Sequence, residues 1–367
     1  MLRFIFLFAI TTSLTSCMQN SGGDHPDIPT EFYIGTYSKN NSKGIYKAAI
    51  TPEGKFKELR ALMNVKDPSY LAKAKEGNFL LAVSEQEIGS LRAFMINGDS
   101  LQQVSLAEEI GTHPCHISID KNRNIAVSNY SSGTVAMFRM NDEGNLTSMG
   151  SLEFKGNGPH PRQEAPHAHS SYFLDDNHLI TADLGTDKLW ISRVNNGESG
   201  QNPEISDSIV LAPGSGPRHM AFHSNQKWIY LVNELSATVN LIKMDTTGTA
   251  FSVAQEISTL PDSYTGENLC ADIHLDRSGN FLYVSNRGHQ TLAIYRVDQQ
   301  NGRLSLVGFE SVRGDWPRNF NITPDNKYLI VANERSDNLV CFKRDTLSGN
   351  LIYTDQVQVP APVCITF

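Results

Sequence analysis

Short apolar runs of five or six residues recur along the chain, each opened by a proline or a small residue and followed, after a polar turn, by a second apolar run. In the clearest instance Gly216-Pro-Arg-His-Met-Ala-Phe-His223 precedes Trp228-Ile-Tyr-Leu-Val-Asn-Glu-Leu235. Pro114-Cys-His-Ile-Ser-Ile119 with Ile125-Ala-Val-Ser-Asn-Tyr130 repeats it, as does Pro317-Arg-Asn-Phe-Asn-Ile322 with Tyr328-Leu-Ile-Val-Ala-Asn-Glu334. Looser copies open at Pro68 and Pro166, and in one copy Cys270 takes the place of the proline. Counting Pro362, the openings at 68, 114, 166, 217, 270, 317 and 362 lie 46, 52, 51, 53, 47 and 45 residues apart. Runs this short read as strands, and a repeat of this length made only of strands predicts a β-propeller.

The seventh opening sets the number of blades. Pro362-Val-Cys-Ile-Thr-Phe367 matches residues 114–119, yet the chain ends before any partner strand. Those partners stand at the other end, where Phe32-Tyr-Ile-Gly-Thr-Tyr37 aligns with residues 125–130. The expectation is an all-β, seven-bladed propeller of four-stranded antiparallel blades, closed by the C-terminal strand joining the N-terminal blade, which leaves no open central edge. Turn chemistry supports four strands per blade, with Gly or Asn in the sharp turns at 75–78, 276–280 and 323–327, and again at 142–144, 300–302 and 347–349. Two connections are longer than a turn requires, residues 156–165 and 261–268. Both lead into inner strands, so both fall on one face of the ring, around its axis, where function is expected.

Composition changes this picture little. The chain has 367 residues, 40% hydrophobic and 19% charged, and one period runs from 31 to 367, so that span reads as a single domain. A net charge of −8 without long basic runs argues against a nucleic-acid partner. The first residues do alter the expectation. Arg3 is followed by an apolar run too short to span a bilayer and then by Leu14-Thr-Ser-Cys17, which resembles a bacterial lipobox. Residues 1–17 are therefore expected to be a lipoprotein signal peptide with Cys17 lipidated, and residues 18–30 a flexible tether. An exported protein anchored only by its lipid, on the periplasmic or cell-surface side of a bacterial membrane, is the expected location. The remaining Cys115, Cys270, Cys341 and Cys364 show no CxxC spacing and are expected to be buried thiols.

Aligning the copies brings polar residues of different blades to equivalent places. Ser69, Cys115, His167, Arg218, Ala271, Arg318 and Val363 follow the openings, while second strands end at Gln86, Tyr130, Leu184, Glu234, Arg287 and Glu334. The long connections add Arg162, Gln163, His169 and Asp272. Facing one axis, these side chains form a funnel of guanidiniums, imidazoles and carboxylates. Arg218 with Glu234, and Arg287 with Glu334, also read as ordinary ion pairs, and His113, His116 and His219 as ties between inner strands. His167 and His169 share a strand face but lack a third ligand, so neither a metal nor any other cofactor is expected. Several arginines together favour an anionic ligand.

The segments Phe32–Tyr37, Gly158-Pro-His-Pro-Arg-Gln-Glu-Ala-Pro-His-Ala-His169, Asp183-Leu-Gly-Thr-Asp187, Gly216-Pro-Arg-His219, Ala271-Asp-Ile-His274, Ser285-Asn-Arg-Gly288 and Trp316-Pro-Arg318, taken together, resemble the seven-bladed propeller lactonase family. Bacterial 6-phosphogluconolactonases and fungal carboxymuconate cyclases belong to it. The resemblance implies hydrolysis of a sugar lactone, with His167, Glu234, Arg218 and Arg287 in the positions of the cyclase site and His169 as the alternative to His167. Arg162, His169, Asp272, Arg318 and Glu334 are the expected substrate contacts, and the partner is a small, anionic lactone bound by a monomer. The rival expectations are a lactonising isomerase using the same residues and a propeller that only binds. No Gly-x-Ser-x-Gly elbow is present, which argues against a serine nucleophile. Export would place the enzyme away from cytoplasmic 6-phosphogluconolactone and nearer to unphosphorylated aldonolactones.

Overall fold

The computed structural model describes residues 29–74, 78–194, 202–245 and 250–367. The expected signal peptide, Cys17, nearly all of the tether and most of the 75–78 turn lie outside the described residues. The described residues form seven four-stranded antiparallel sheets. Six are consecutive in sequence, and in the seventh Pro362–Thr366 pairs with Thr30–Thr36, placing Ile34 opposite Ile365 and Gly35 opposite Cys364. Second and third strands read as continuous apolar runs because neighbouring blades cover both of their faces. Outer strands such as Glu204–Val210 are exposed along most of their length.

A repeated contact joins one blade to the next. The aromatic residue that begins a second strand lies under the glycine of the outer hairpin in the following blade: Phe79 under Gly144, Trp228 under Gly302, Phe281 under Gly349 and Tyr328 under Gly54. A Cβ on any of these glycines would come within 2.4–2.6 Å of the ring, except at Gly349, where the approach is 2.3 Å. All four glycines also have positive φ, between 75° and 87° for Gly302, Gly54, Gly349 and Gly144. Tyrosines further along the same strands add hydrogen bonds, Tyr230 Oη donating to Gly302 O and Tyr283 Oη to Gly349 O, each at 2.8 Å. The buried pair of Arg344 and Asp276, at 2.8 Å, ties the same two blades as Tyr283. Cys115, Cys270, Cys341 and Cys364 are buried free thiols.

The inner strands carry the feature that builds the site. Pro114 pairs with Asn129, Pro217 with Asn233 and Pro317 with Asn333, and the ladder then skips one residue before resuming. The skipped residues are Cys115, Arg218 and Arg318. Such a bulge re-aims one side chain out of the pleat, here toward the axis. In the inner strand Ala168–Phe173, Ala168 rather than Pro166 pairs with Asp183, and the skipped residue is His169. Residues 166–167 mimic the Pro-Arg pair of 217–218, but Asp183 Oδ1 accepts from the His167 backbone N–H at 2.7 Å, and the ladder begins after it.

Main-chain bonds fix the same register. Glu234 N donates to Gly216 O, Glu334 N to Trp316 O, Tyr130 N to His113 O, Tyr37 N to Ala361 O, and Leu184 N to His167 O. His167 is therefore the counterpart of Gly216, one residue ahead of the strand, and His169 is the counterpart of Arg218. Glu85, whose N–H donates to Asp67 O, replaces Gln86 as the residue after its second strand. The residues ahead of the strands, Asp67, His113, Gly216, Trp316 and Ala361, all have φ between 40° and 68°, the left-handed turn that delivers the chain to the axis.

Candidate active site

Glu234 follows its second strand, Trp228–Asn233, and is the centre of the densest charge cluster. Its Oε2 accepts from Arg218 Nε and pairs with Arg287 Nη2, each at 2.9 Å, and its Oε1 accepts from Arg162 Nη1 at 2.6 Å. These residues come from neighbouring blades and the 156–165 loop. Burial would raise the Glu234 pKa, but Arg287, Arg218 and Arg162 outweigh it and hold the carboxyl well below the usual carboxylate range. One carboxylate against three guanidiniums leaves local positive charge in excess. Burial lowers the Arg287 pKa to about 10, against the raising effect of Glu234, and Arg218 and Arg318 lower it further. It remains a cation at neutral pH. The expected Arg287–Glu334 pair is not the one made; Glu334 meets Lys39 at 3.1 Å instead.

Arg162 sits on a loop whose shape three of the sequence motifs share. Gln163 is fully buried and donates to Leu184 O at 2.8 Å and to Asp187 Oδ1 at 2.7 Å. Asp187 in turn accepts from Gly214 N and Gly216 N, at 2.6 and 2.8 Å. A Cβ on Gly185 would stand 1.8 Å from Ala165 O, so only glycine lets the two loops approach. Arg162 Nη2 then donates to Tyr130 Oη at 3.0 Å.

The two histidines differ in setting. His167 stacks on Tyr130, with centroids 4.5 Å apart, and Nδ1 lies 3.0 Å from Tyr130 O. Its Nε2 is 3.3 Å from the exposed carboxylate of Glu164, so both ring nitrogens have partners. His169, on the bulge, meets Tyr130 edge-on at 5.6 Å and His219 at 5.2 Å. The Cys115 thiol lies 3.9 Å from its Nδ1. Burial first, then the positive charges of Arg218, His219, Arg318 and Arg287, hold its pKa well below the ordinary imidazole value. His169 is a neutral imidazole that feels arginines from several blades.

On another side of the ring Arg318 lies 5.2 Å over the Tyr37 ring and 3.8 Å from Glu85. Tyr37 Oη lies 3.0 and 3.1 Å from the two Glu85 oxygens. Asp272 is set one residue further along the inner strands and is used differently. It binds His219 Nδ1 at 2.8 Å and His274 Nε2 at 3.0 Å, and accepts from Asn319 Nδ2 at 2.5 Å. His219 thus ties neighbouring inner strands as expected, and His116 does so through Ser171 N at 3.4 Å. His113 bonds Ser131 Oγ at 2.7 Å, a contact outside the inner strands.

A model of the lactonase, 7-bladed beta-propeller family matches residues 31–367. The chain belongs to the seven-bladed β-propeller lactonase family. A 6-phosphogluconolactonase of Bacillus subtilis is 36% identical to it over 343 residues, 91% of this chain and 97% of the relative. A 6-phosphogluconolactonase of Formosa agariphila is 34% identical over 340 residues, 87% of this chain and 94% of the relative. The structure of a periplasmic gluconolactonase from Pseudomonas aeruginosa superposes with a TM-score of 0.88 at 29% identity, covering 93% of this chain and 99% of that one. In this lactonase-family chain, sequence reasoning does not reach Glu85, Tyr37 and Lys39 as members of the funnel. The alignment of Tyr37 with Tyr130 is a signal for the first strand, and Glu85 stands one residue before the expected Gln86.

Proposed function

We propose that the chain hydrolyses the ring ester of a sugar lactone, releasing the open-chain aldonic acid. The observation that carries this reading is a buried imidazole, His169, set on a strand bulge and joined through His219 to a fixed group of guanidiniums gathered on one carboxylate. Burial and the surrounding positive charge favour the unprotonated form of His169, the form that can accept a proton from water. It takes a proton from water as the oxygen attacks the lactone carbonyl, and the carbonyl π pair moves onto oxygen. Arg218 Nη2 and Arg287 Nη1, which have no hydrogen-bond partner among the described residues, are the proposed donors to that oxyanion. Collapse re-forms the carbonyl, breaks the ring C–O bond and returns the proton from the imidazolium to the leaving alkoxide. Glu234 positions the guanidiniums, because both of its oxygens are already taken up by Arg162, Arg218 and Arg287. His167 orients Tyr130 and through it Arg162, while Asp272 holds inner strands rather than substrate.

We also propose that the chain is exported, a reading supported by the apolar run and lipobox-like Leu14-Thr-Ser-Cys17 of residues 1–17, and that lipidation at Cys17 anchors a monomer by its lipid alone. Metabolic labelling with a fatty acid, lost in Cys17→Ala, tests that part. For the reaction, acid release from glucono-1,5-lactone and from its 6-phosphate is followed in a pH-stat. Turnover above the spontaneous rate that falls at least 100-fold in Arg218→Met supports hydrolysis. Absence of turnover on both lactones refutes it for these substrates.

A further inference from the structure

The two sides of the funnel differ in charge and in how their donors are used. Around Glu234 most of the arginine donors are taken: Arg218 also donates to Ala271 O, Arg287 to Leu269 O and Cys270 O, and Arg162 to Tyr130 Oη. Arg318 is otherwise. Its guanidinium donates no hydrogen bond to any described residue, and its position is set by the face of Tyr37 and by a 3.8 Å approach to Glu85. Its side chain is 17% exposed, that of Glu85 15% and that of Glu334 10%, so all three are largely enclosed yet reachable from solvent. Glu334 adds an acceptor, and Lys39, 62% exposed, adds a donor at the outer end.

Two cationic side chains, Lys39 and Arg318, stand here over the Tyr37 ring, against the carboxylates of Glu334 and Glu85, and the Tyr37 hydroxyl donates to Glu85. We propose that Tyr37, Glu85, Arg318, Glu334 and Lys39 form a polyol subsite that binds the uncharged, hydroxyl-rich part of the ligand and disfavours a phosphate ester. A sugar hydroxyl both donates and accepts, so a wall that alternates guanidinium, carboxylate and phenol can satisfy adjacent hydroxyls in both roles. A phosphate offers acceptors only. Near this wall its negative charge would gain from Arg318 and Lys39 and lose to Glu85 and Glu334. The inference rests on the lactonase reading for the orientation it gives: hydroxyls on this side, carbonyl toward Arg218 and Arg287.

The test is calorimetric binding of 1,5-anhydro-D-glucitol and its 6-phosphate to the protein from residue 18 onward. Neither probe has a carbonyl or a bond to hydrolyse at the ring ester. The expected result is at least tenfold tighter binding of the uncharged probe, weakened at least tenfold in Arg318→Met. Glu334→Gln, at the open end of the subsite, provides a second variant and should narrow the gap between the probes. Equal or tighter binding of the phosphate overturns the proposal, as does unchanged polyol affinity in both variants. If lactones are hydrolysed and neither probe binds, the subsite fails and the lactonase reading stands. Polyol binding without hydrolysis of any lactone supports the subsite and refutes the lactonase reading.

Discussion

A single residue of offset decides which histidine faces the ligand. Pro166-His-Ala-His169 imitates the Pro-Arg pair at 217–218, and sequence alone favours His167. The ladder begins at Ala168 because Asp183 captures the His167 amide, a bond that no periodicity reveals. The arginines and Glu234 were legible because each follows a proline or ends an apolar run. Their joint attachment to one carboxylate was not, since it depends on the loop that carries Arg162. Glu234→Ala should leave buried guanidiniums unpaired and cost about 3–5 kcal/mol of stability, read by denaturant unfolding. If His169 is the base, kcat/KM should be flat through neutral pH, with its acid limb well below about 6.5, because its imidazole is already neutral there. An acid limb at or above that value would mean that another group carries the proton.

At the scale of elements, the motifs around residues 158–169, 183–187 and 214–219 are one hydrogen-bonded assembly rather than three signals. Gln163, Asp187 and Gly185 hold the loop that presents Arg162, and none of them faces the ligand. Gly185→Ala should drive the loop away from Ala165 O and lower kcat/KM at least tenfold, while thermal unfolding moves far less than for a core truncation. The reverse pattern should follow Phe281→Ala. That ring is buried under Gly349, and its removal should cost about 3–5 kcal/mol while leaving KM near the wild-type value. The repeated turn glycines were visible in the sequence as turn formers; their second use, as the flat seat for an aromatic ring of the preceding blade, needed the three-dimensional arrangement.

For the whole molecule, the terminal repeat was the most informative sequence feature, because an inner strand at residues 362–367 without partners has to find them at residues 30–36. Removing Pro362–Thr366 should therefore open the ring and abolish cooperative unfolding rather than merely trim a tail. The axis also sets the response to acid. His116, His169 and His219 are buried and neutral, with His219 lowered to about 4 by burial and Arg218 against the opposing pull of Asp272. Between about 6.5 and about 4 the unfolded chain binds protons that the folded chain does not, so this stabilisation is complete above that window and declines as pH falls through it. Denaturant midpoints measured from pH 8 down to pH 4 should fall below about pH 6.5. In the proposed reaction a bulged imidazole beside the arginine group opens a lactone ring. The measurement that bears on it most directly is hydrolysis of glucono-1,5-lactone by His169→Ala and His167→Ala alongside the wild-type protein. If His169 is the base, activity should fall on the order of 100-fold or more in the first and roughly tenfold or less in the second. Full activity in His169→Ala would contradict it.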